Sequence, residues 1–196
     1  MRKTTRLFII CVMLACLTGC GVKRPTTAVD GAAWSEDWIT LAGVMGVEEP
    51  GHGLTLRDDK AAKNMSYIAW SIGEAQPYVN EDGVEKNLYD AQLVLLLAVD
   101  DSEEEARLDV DEWLSLAEEN YTIKESSQQV FNGQEFTVVT YDFPEDSSTF
   151  ARGVSAFAAF GDCAVSVELA CQEGFDQDPQ TILADVLEHC HYAAGK

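Results

Sequence analysis

Basic residues are scarce in this chain. Its 196 residues include 13 Lys and Arg against 34 Asp and Glu, which gives a formal net charge of −21 at pH 7. A surface this acidic repels nucleic-acid phosphates, so the composition argues against binding to DNA or RNA. Proline and glycine are also limited, at 5 and 14 residues, which excludes collagen-like and low-complexity chains.

Apolar runs of membrane-spanning length are missing too. The run from Leu7 to Leu17 is shorter than the about 20 residues that a helix needs to cross a bilayer. A basic N-terminus precedes this run and small residues follow it, which is typical of a secretory signal. We therefore predict that residues 1–19 are a signal peptide.

The predicted signal ends in Leu17-Thr18-Gly19-Cys20, which resembles the lipobox of bacterial lipoproteins. The resemblance covers residues 1–20. It implies that the Cys20 sulfur receives a diacylglyceryl group and that Cys20 becomes the first residue of the mature chain, anchored at the extracytoplasmic face of the cell membrane. Two buried acyl chains hold a protein far better than the marginal binding of one. The alternatives are an ordinary signal peptide with a chance cysteine and a hydrophobic N-terminal helix.

The chain after the signal divides into two parts. Residues 20–33 carry Pro, Thr and Gly without an amphipathic period, which predicts a lipidated N-terminus and a short flexible tether. Residues 34–196 contain no second linker, internal repeat or low-complexity block. We therefore expect a single globular domain over residues 34–196.

Apolar periodicity predicts a sheet-rich domain. Alternating or continuous apolar residues indicate strands at 37–47, 54–56, 66–73, 88–99, 122–130, 134–143, 152–160 and 163–171. The sequences Asn132-Gly133 and Gly161-Asp162 are typical of tight hairpins. Because a tight hairpin reverses the chain, the sheet is predicted to be mostly antiparallel.

Two amphipathic helices complete the predicted fold. Ser102 and Glu105 form a capping-box pattern before the first helix, and Asp178 followed by Pro179 is typical of the start of the second. The central strand 88–99 is apolar on both faces, so each face needs a cover. We expect an α+β fold in which about six to seven strands are flanked by the two helices as an α/β/α sandwich.

This element order is similar to that of the Mog1/PsbP-like fold. The resemblance covers roughly residues 34–192. It rests on the order of elements, on tryptophan-containing N-terminal strands, and on the closing helix with Ile182-Leu183 and Val186-Leu187. Known members are mostly non-catalytic binding or assembly proteins, and the resemblance implies a role of that kind.

Three cysteines follow Cys20: Cys163, Cys171 and Cys190. If residues 163–171 form one strand, its two cysteines lie about 26 Å apart, too far for a disulfide. The final helix is predicted to run back along that strand, which would bring Cys190 near Cys163. One hypothesis is a Cys163–Cys190 disulfide in an exported protein; the alternative is buried free thiols.

Motifs for catalysis and metal binding are lacking. The sequence has no GxSxG elbow, P-loop, dinucleotide fingerprint, CxxC or HExxH. His189 and His191 are two residues apart, so on one helix they would point to opposite sides, and two solvent-facing histidines are expected. The acidic segments 80–85 and 100–105 lack EF-hand spacing. We therefore predict no catalytic residues, no metal and no cofactor.

Aromatic residues are the remaining guide to function. Trp70 and Trp113 are predicted to lie in the core, whereas Trp34 and Trp38 are candidates for contact with a partner. The expectation is a lipid-anchored binding or assembly module with a protein partner in the cell envelope. A small ligand-binding lipoprotein is one alternative, and an envelope hydrolase is another.

Overall fold

The computed structural model describes residues 38–60, 64–79, 83–144 and 149–193. In these ranges the chain forms twelve strands and two helices, α1 (Glu103–Asn120) and α2 (Pro179–Glu188). No helix in the described ranges is both long and apolar enough to cross a membrane. The strands are β1 (Ile39–Leu41), β2 (Met45–Val47), β3 (Thr55–Lys60), β4 (Met65–Ile72), β5 (Gln76–Val79), β6 (Glu85–Leu88), β7 (Ala91–Val99), β8 (Thr122–Phe131), β9 (Gln134–Asp142), β10 (Arg152–Phe160), β11 (Cys163–Cys171) and β12 (Cys190–Tyr192).

Seven strands form the main sheet, in the order β3-β4-β7-β11-β10-β9-β8. Every neighbouring pair in it is antiparallel. The prediction of a sheet-rich α+β fold with a mostly antiparallel sheet and two helices is therefore confirmed. The β8–β9 turn has positive φ at both Asn132 (43°) and Gly133 (81°), as a two-residue hairpin that matches the strand twist requires.

Strand β11 is buried along its whole length, and its side chains alternate between two hydrophobic clusters. Val165, Val167 and Leu169 belong to the larger cluster, which contains the apolar side of α2. Ala164 belongs to the smaller cluster, which contains the apolar side of α1. Neighbouring residues of a strand point to opposite faces of a sheet. The helix α2 therefore packs with the odd-numbered residues of β11, and α1 packs with Ala164.

Both helices begin where the sequence predicts. Ser102 Oγ accepts a hydrogen bond from Glu105 N (3.2 Å), while the Glu105 carboxylate accepts from Asp101 N (3.2 Å). The carboxylate thus binds one residue ahead of the usual capping-box amide. At α2, the Asp178 carboxylate accepts from Gln180 N and Thr181 N, and these bonds satisfy amides that the helix leaves without partners.

Two smaller sheets depart from the predicted elements. The predicted strand 37–47 is a hairpin of β1 and β2, reversed at Ala42 and Gly43, which have positive φ. Residues after α2 form β12, which pairs with β2, so the prediction of two solvent-facing histidines at a helix end is wrong for His191. A strand of three residues is too short to give a periodic signal. Strands β5 and β6 form a separate two-stranded sheet.

A neutral groove beside Trp38 as candidate functional site

The candidate site is a groove of about 400 Å³ where three chain segments meet. It lies between the β8–β9 turn, the β10–β11 turn and strand β12. Among the residues that the structure describes, the lining contains no Asp, Glu, Lys or Arg, although the chain carries a net charge of −21. The lining residues are Asn132, Gly133, Gln134, Phe160, Gly161, His191, Tyr192 and Ala193.

Asn132 fixes the β8–β9 turn against the C-terminal strand. Its Nδ2 donates to the Cys190 carbonyl oxygen (2.7 Å), and its backbone N donates to Glu188 Oε2 (3.1 Å). These bonds link residues that are more than fifty positions apart in the chain. Asn132 has a positive φ, which Asn tolerates better than most residues. The turn therefore forms one rigid wall of the groove.

Trp38 lies at the rim, where its ring stacks on the imidazole of His191 with 4.1 Å between centroids and 13° between planes. His191 Nε2 lies 2.5 Å from Glu48 Oε1, and its Nδ1 lies 3.4 Å from Asn132 Nδ2. With Nε2 donating to the carboxylate and Nδ1 accepting from the amide, one imidazole tautomer satisfies both contacts. The stack presents a half-buried aromatic surface beside the groove.

Tyr192 forms the floor on the β12 side. Its ring contacts Phe160 edge-on (5.0 Å between centroids) and Phe136 at 6.4 Å. Its hydroxyl oxygen is buried and lies beside Cys190. Burial first, and then the neighbouring Cys190, raises the pKa of Tyr192. The tyrosine is therefore a neutral, aromatic element of the site.

The three cysteines do not form a reactive centre. Cys163, Cys171 and Cys190 are buried free thiols in the same hydrophobic cluster. Cys163 Sγ donates to Asp162 Oδ1 (3.5 Å) and Cys190 Sγ donates to the Val186 carbonyl (3.2 Å), so the Cys163–Cys190 pair of the sequence hypothesis is not formed in this structure. Burial raises the pKa of Cys163 and of Cys171 to about 12, which makes both thiols poor nucleophiles at neutral pH.

The other histidines surround one carboxylate of α2. Asp185 lies 3.7 Å from His52 Nε2 and 3.6 Å from His189 Nδ1, and it also accepts from Gly51 N (3.3 Å). His189 Nδ1 lies closer, at 2.6 Å, to the Asp185 carbonyl oxygen. No group of three or more His, Cys, Asp or Glu in the described parts of the chain has a geometry that could hold a metal ion.

A buried carboxylate lies on the opposite side of the main sheet from α2. Glu168 is 3% exposed, and its Oε1 accepts hydrogen bonds from the hydroxyls of Tyr141 and Tyr121 (the latter at 3.2 Å). The two tyrosine rings stack with 4.2 Å between centroids. Burial raises the pKa of Glu168 to about 6, and the two tyrosine hydrogen bonds partly oppose that rise.

The N-terminal end of α1 concentrates negative charge. Burial raises the pKa of Asp100, and the charges of Asp109, Glu105, Asp101 and Asp162 add to the rise. One oxygen of Asp100, Oδ2, is buried without a hydrogen-bond partner among the described residues. The neighbouring carboxylates raise the pKa of Asp100 because their negative charges repel its ionised form.

The predicted site residues have different outcomes. Trp38 lies at the groove, and Trp70 and Trp113 lie in the core at 3% and 7% exposure, as predicted. Cys20 and Trp34 lie outside the described residues. Sequence reasoning missed Asn132, His191 and Tyr192 as neighbours, and the Asn-Gly turn was the one local signal that marked this region.

Comparisons with known proteins give fold likeness only. No family model matches the sequence, and no curated protein matches it. Among solved structures, the chain is similar to a protein from Bacteroides thetaiotaomicron VPI-5482, with 8% identity, a TM-score of 0.45, and coverage of 79% of this chain and 47% of that chain. This chain thus spans about half the length of that protein.

A second similar structure is the solution structure of cyanobacterial PsbP (CyanoP) from Synechocystis sp. PCC 6803. The identity is 7% and the TM-score 0.40, with coverage of 65% of this chain and 86% of that chain. At these TM-scores neither comparison carries an argument about function.

Proposed function

We propose that the protein is a membrane-anchored lipoprotein of the cell envelope whose single domain binds a protein partner without catalysis. The anchor is the lipid on Cys20, and the domain follows a short tether. The finer architecture that we propose is a PsbP/Mog1-like α/β/α sandwich, with α1 and α2 covering opposite faces of the seven-stranded sheet.

One observation carries the binding proposal: Trp38 stacks on His191 at the rim of an uncharged groove in a strongly acidic protein. Aromatic residues supply much of the binding energy at protein–protein interfaces. A tryptophan at the rim of a groove that is lined by amide and backbone groups therefore fits a protein-binding site.

Metabolic labelling tests the anchor. Cells that express the full chain and are fed labelled palmitate are expected to yield a labelled protein in the membrane fraction. The Cys20→Ala variant is expected to stay unlabelled, because the acceptor thiol is gone. An unlabelled wild-type protein, or one recovered from the cytosol with residues 1–19 still attached, would contradict the anchor.

Site-specific cross-linking in intact cells tests the binding role. A photoreactive residue at position 38 is expected to give one discrete cross-linked species, whereas the same residue at Leu108 is the matched control. Leu108 is 59% exposed on α1, away from the groove. Equal cross-linking at both positions, or none at position 38, would refute the groove as the binding surface.

A small ligand-binding lipoprotein is the second candidate, because the groove volume of about 400 Å³ lies in the range of small-molecule sites. Cross-linking separates the two candidates. A small molecule that fills the groove would protect position 38 from cross-linking to protein, whereas a protein partner would be captured there.

A further inference from the structure

We propose that the groove takes an extended peptide segment of the partner, which pairs with the backbone of β12 at Tyr192. The segment is uncharged where it crosses the groove and carries basic residues on its flanks. This inference rests on the proposed binding function and names the chemistry of the partner.

The register of β12 decides where its backbone groups point. Glu48 N donates to the His189 carbonyl (3.1 Å), and Ala193 N donates to the Val44 carbonyl (2.8 Å). In an antiparallel pair, hydrogen-bonded and non-hydrogen-bonded positions alternate. Positions 189, 191 and 193 therefore bond toward β2, whereas positions 190 and 192 direct their N–H and C=O groups away from β2.

The Asn132 contact supports this register. Its Nδ2 donates to the carbonyl of Cys190 (2.7 Å), which is one of the two outward-pointing positions. The other outward-pointing position is Tyr192, which lines the groove. Since β12 is the edge of its three-stranded sheet in the described part of the chain, the Tyr192 N–H and C=O form one donor and acceptor pair that an added strand can use.

The turns leave room for an incoming main chain. A Cβ built on Gly133 or on Gly161 would meet no atom within 4 Å, so the two turns that line the groove have open space beside their glycines. Backbone pairing requires close approach of two main chains, and glycine walls permit it. An extended peptide can form backbone hydrogen bonds with Tyr192 in this arrangement, whereas a ligand without a main chain cannot pair in this way.

Charge sets the composition of the segment. The lining residues within the described ranges include no Asp, Glu, Lys or Arg, so a charged side chain inside the groove would lose hydration without a counter-ion. Carboxylates lie on both sides of the site: Glu188 contacts Asn132, and Glu48 contacts His191. Basic residues at both ends of a neutral segment complement this pattern.

The test uses the full-length lipidated protein in nanodiscs and a random twelve-residue peptide library displayed on phage. Selected peptides are resynthesised and then N-methylated at one backbone amide at a time. Strand addition predicts that methylation of one amide, the one that donates to the Tyr192 carbonyl, weakens binding by about tenfold. Methylation of its two neighbours is tolerated, because their N–H groups point to the other side of the strand.

A charge variant in the groove supplies the second measurement. Gln134→Lys places a positive charge in the lining, where it repels the basic flanks, and is expected to weaken the binding of the selected peptides by about tenfold. Gln128→Lys adds the same charge at an exposed position of β8 and is expected to leave their affinity unchanged. Thermal unfolding of both variants verifies that they are folded.

Several outcomes would overturn the inference. They are failure to select any peptide, affinity that no N-methylation changes, and equal effects of the two charge variants. If deletion of residues 21–33 were needed before peptides bind, the chain's own N-terminal segment would be the occupant. If added protein displaced the peptide, a second copy would be the occupant. Cross-linking at position 38 with insensitivity to N-methylation would leave the binding function standing and remove only the backbone pairing.

Discussion

Neutralising Glu168 is expected to stabilise the protein, although the side chain accepts two hydrogen bonds. Glu168 is 3% exposed on the central strand β11. In Glu168→Gln the amide oxygen can still accept from the hydroxyls of Tyr121 and Tyr141, while the buried negative charge is removed. The variant therefore isolates the cost of the charge from the cost of losing the side chain.

The magnitude follows from the pKa. Burial raises the pKa of Glu168 from 4.5 to about 6, so the folded state binds a proton more tightly than the unfolded state does. Stability is then greatest below the unfolded pKa and falls as the pH rises through the window from about 4.5 to about 6. At roughly 1.4 kcal/mol per pKa unit, the loss above pH 6 is about 2 kcal/mol.

The assay is urea unfolding followed by tryptophan fluorescence, from about pH 4 to about pH 8. The difference in unfolding free energy between Glu168→Gln and wild type is expected to shift in favour of the variant by about 2 kcal/mol across that range. Glu173→Gln is the matched control, because Glu173 is exposed, and its effect is expected to stay within about 0.5 kcal/mol. A Glu168→Gln difference that is constant with pH, or that favours the wild type more as pH rises, would refute the reasoning.

Three further predictions concern packing, thiols and helix caps. Gly153→Ala is expected to lower the unfolding free energy by about 1–3 kcal/mol, because the new Cβ would lie 2.6 Å from the Tyr141 ring. The control is Gly51→Ala, whose Cβ would meet only the Asp185 carboxylate, at 3.4 Å. Its unfolding free energy is expected to stay close to that of the wild type. Cys163, Cys171 and Cys190 are expected to resist a thiol reagent at pH 8 until denaturant is added, and a disulfide-linked peptide in the mass spectrum without reductant would contradict the free-thiol state. Asp178→Ala, which removes the α2 cap, is expected to lower the unfolding free energy by about 1 kcal/mol in urea titrations, and an unchanged midpoint would contradict that role.

The meander from β8 to β11 was predictable because each strand carries its own signal. Alternating apolar residues mark the strands, and Asn132-Gly133 and Gly161-Asp162 mark the turns between them, so local pattern and tertiary structure agree. The helix starts at Ser102 and Asp178 were predictable for the same reason: a cap is a local hydrogen bond that a short sequence specifies.

The groove was not predictable from these signals. Its walls come from three segments that are far apart in the chain, and only the sheet order brings Asn132 and Tyr192 together. Strand β12 has three residues, too few for a period, and the His189-Cys190-His191 sequence continued the helical interpretation past the true end of α2. Glu168 did leave a trace in the sequence, as the one charged residue within the apolar run Cys163–Cys171.

The position of Ala193 has a practical consequence for anyone who purifies this protein. Ala193 lines the groove, so an affinity tag fused directly after Ala193 would begin at the groove. Such a fusion could hide the very ligand that it is meant to retrieve. A tag inserted at the exposed turn around Gly174, where an added Cβ meets no atom within 4 Å, would leave the mouth of the groove clear.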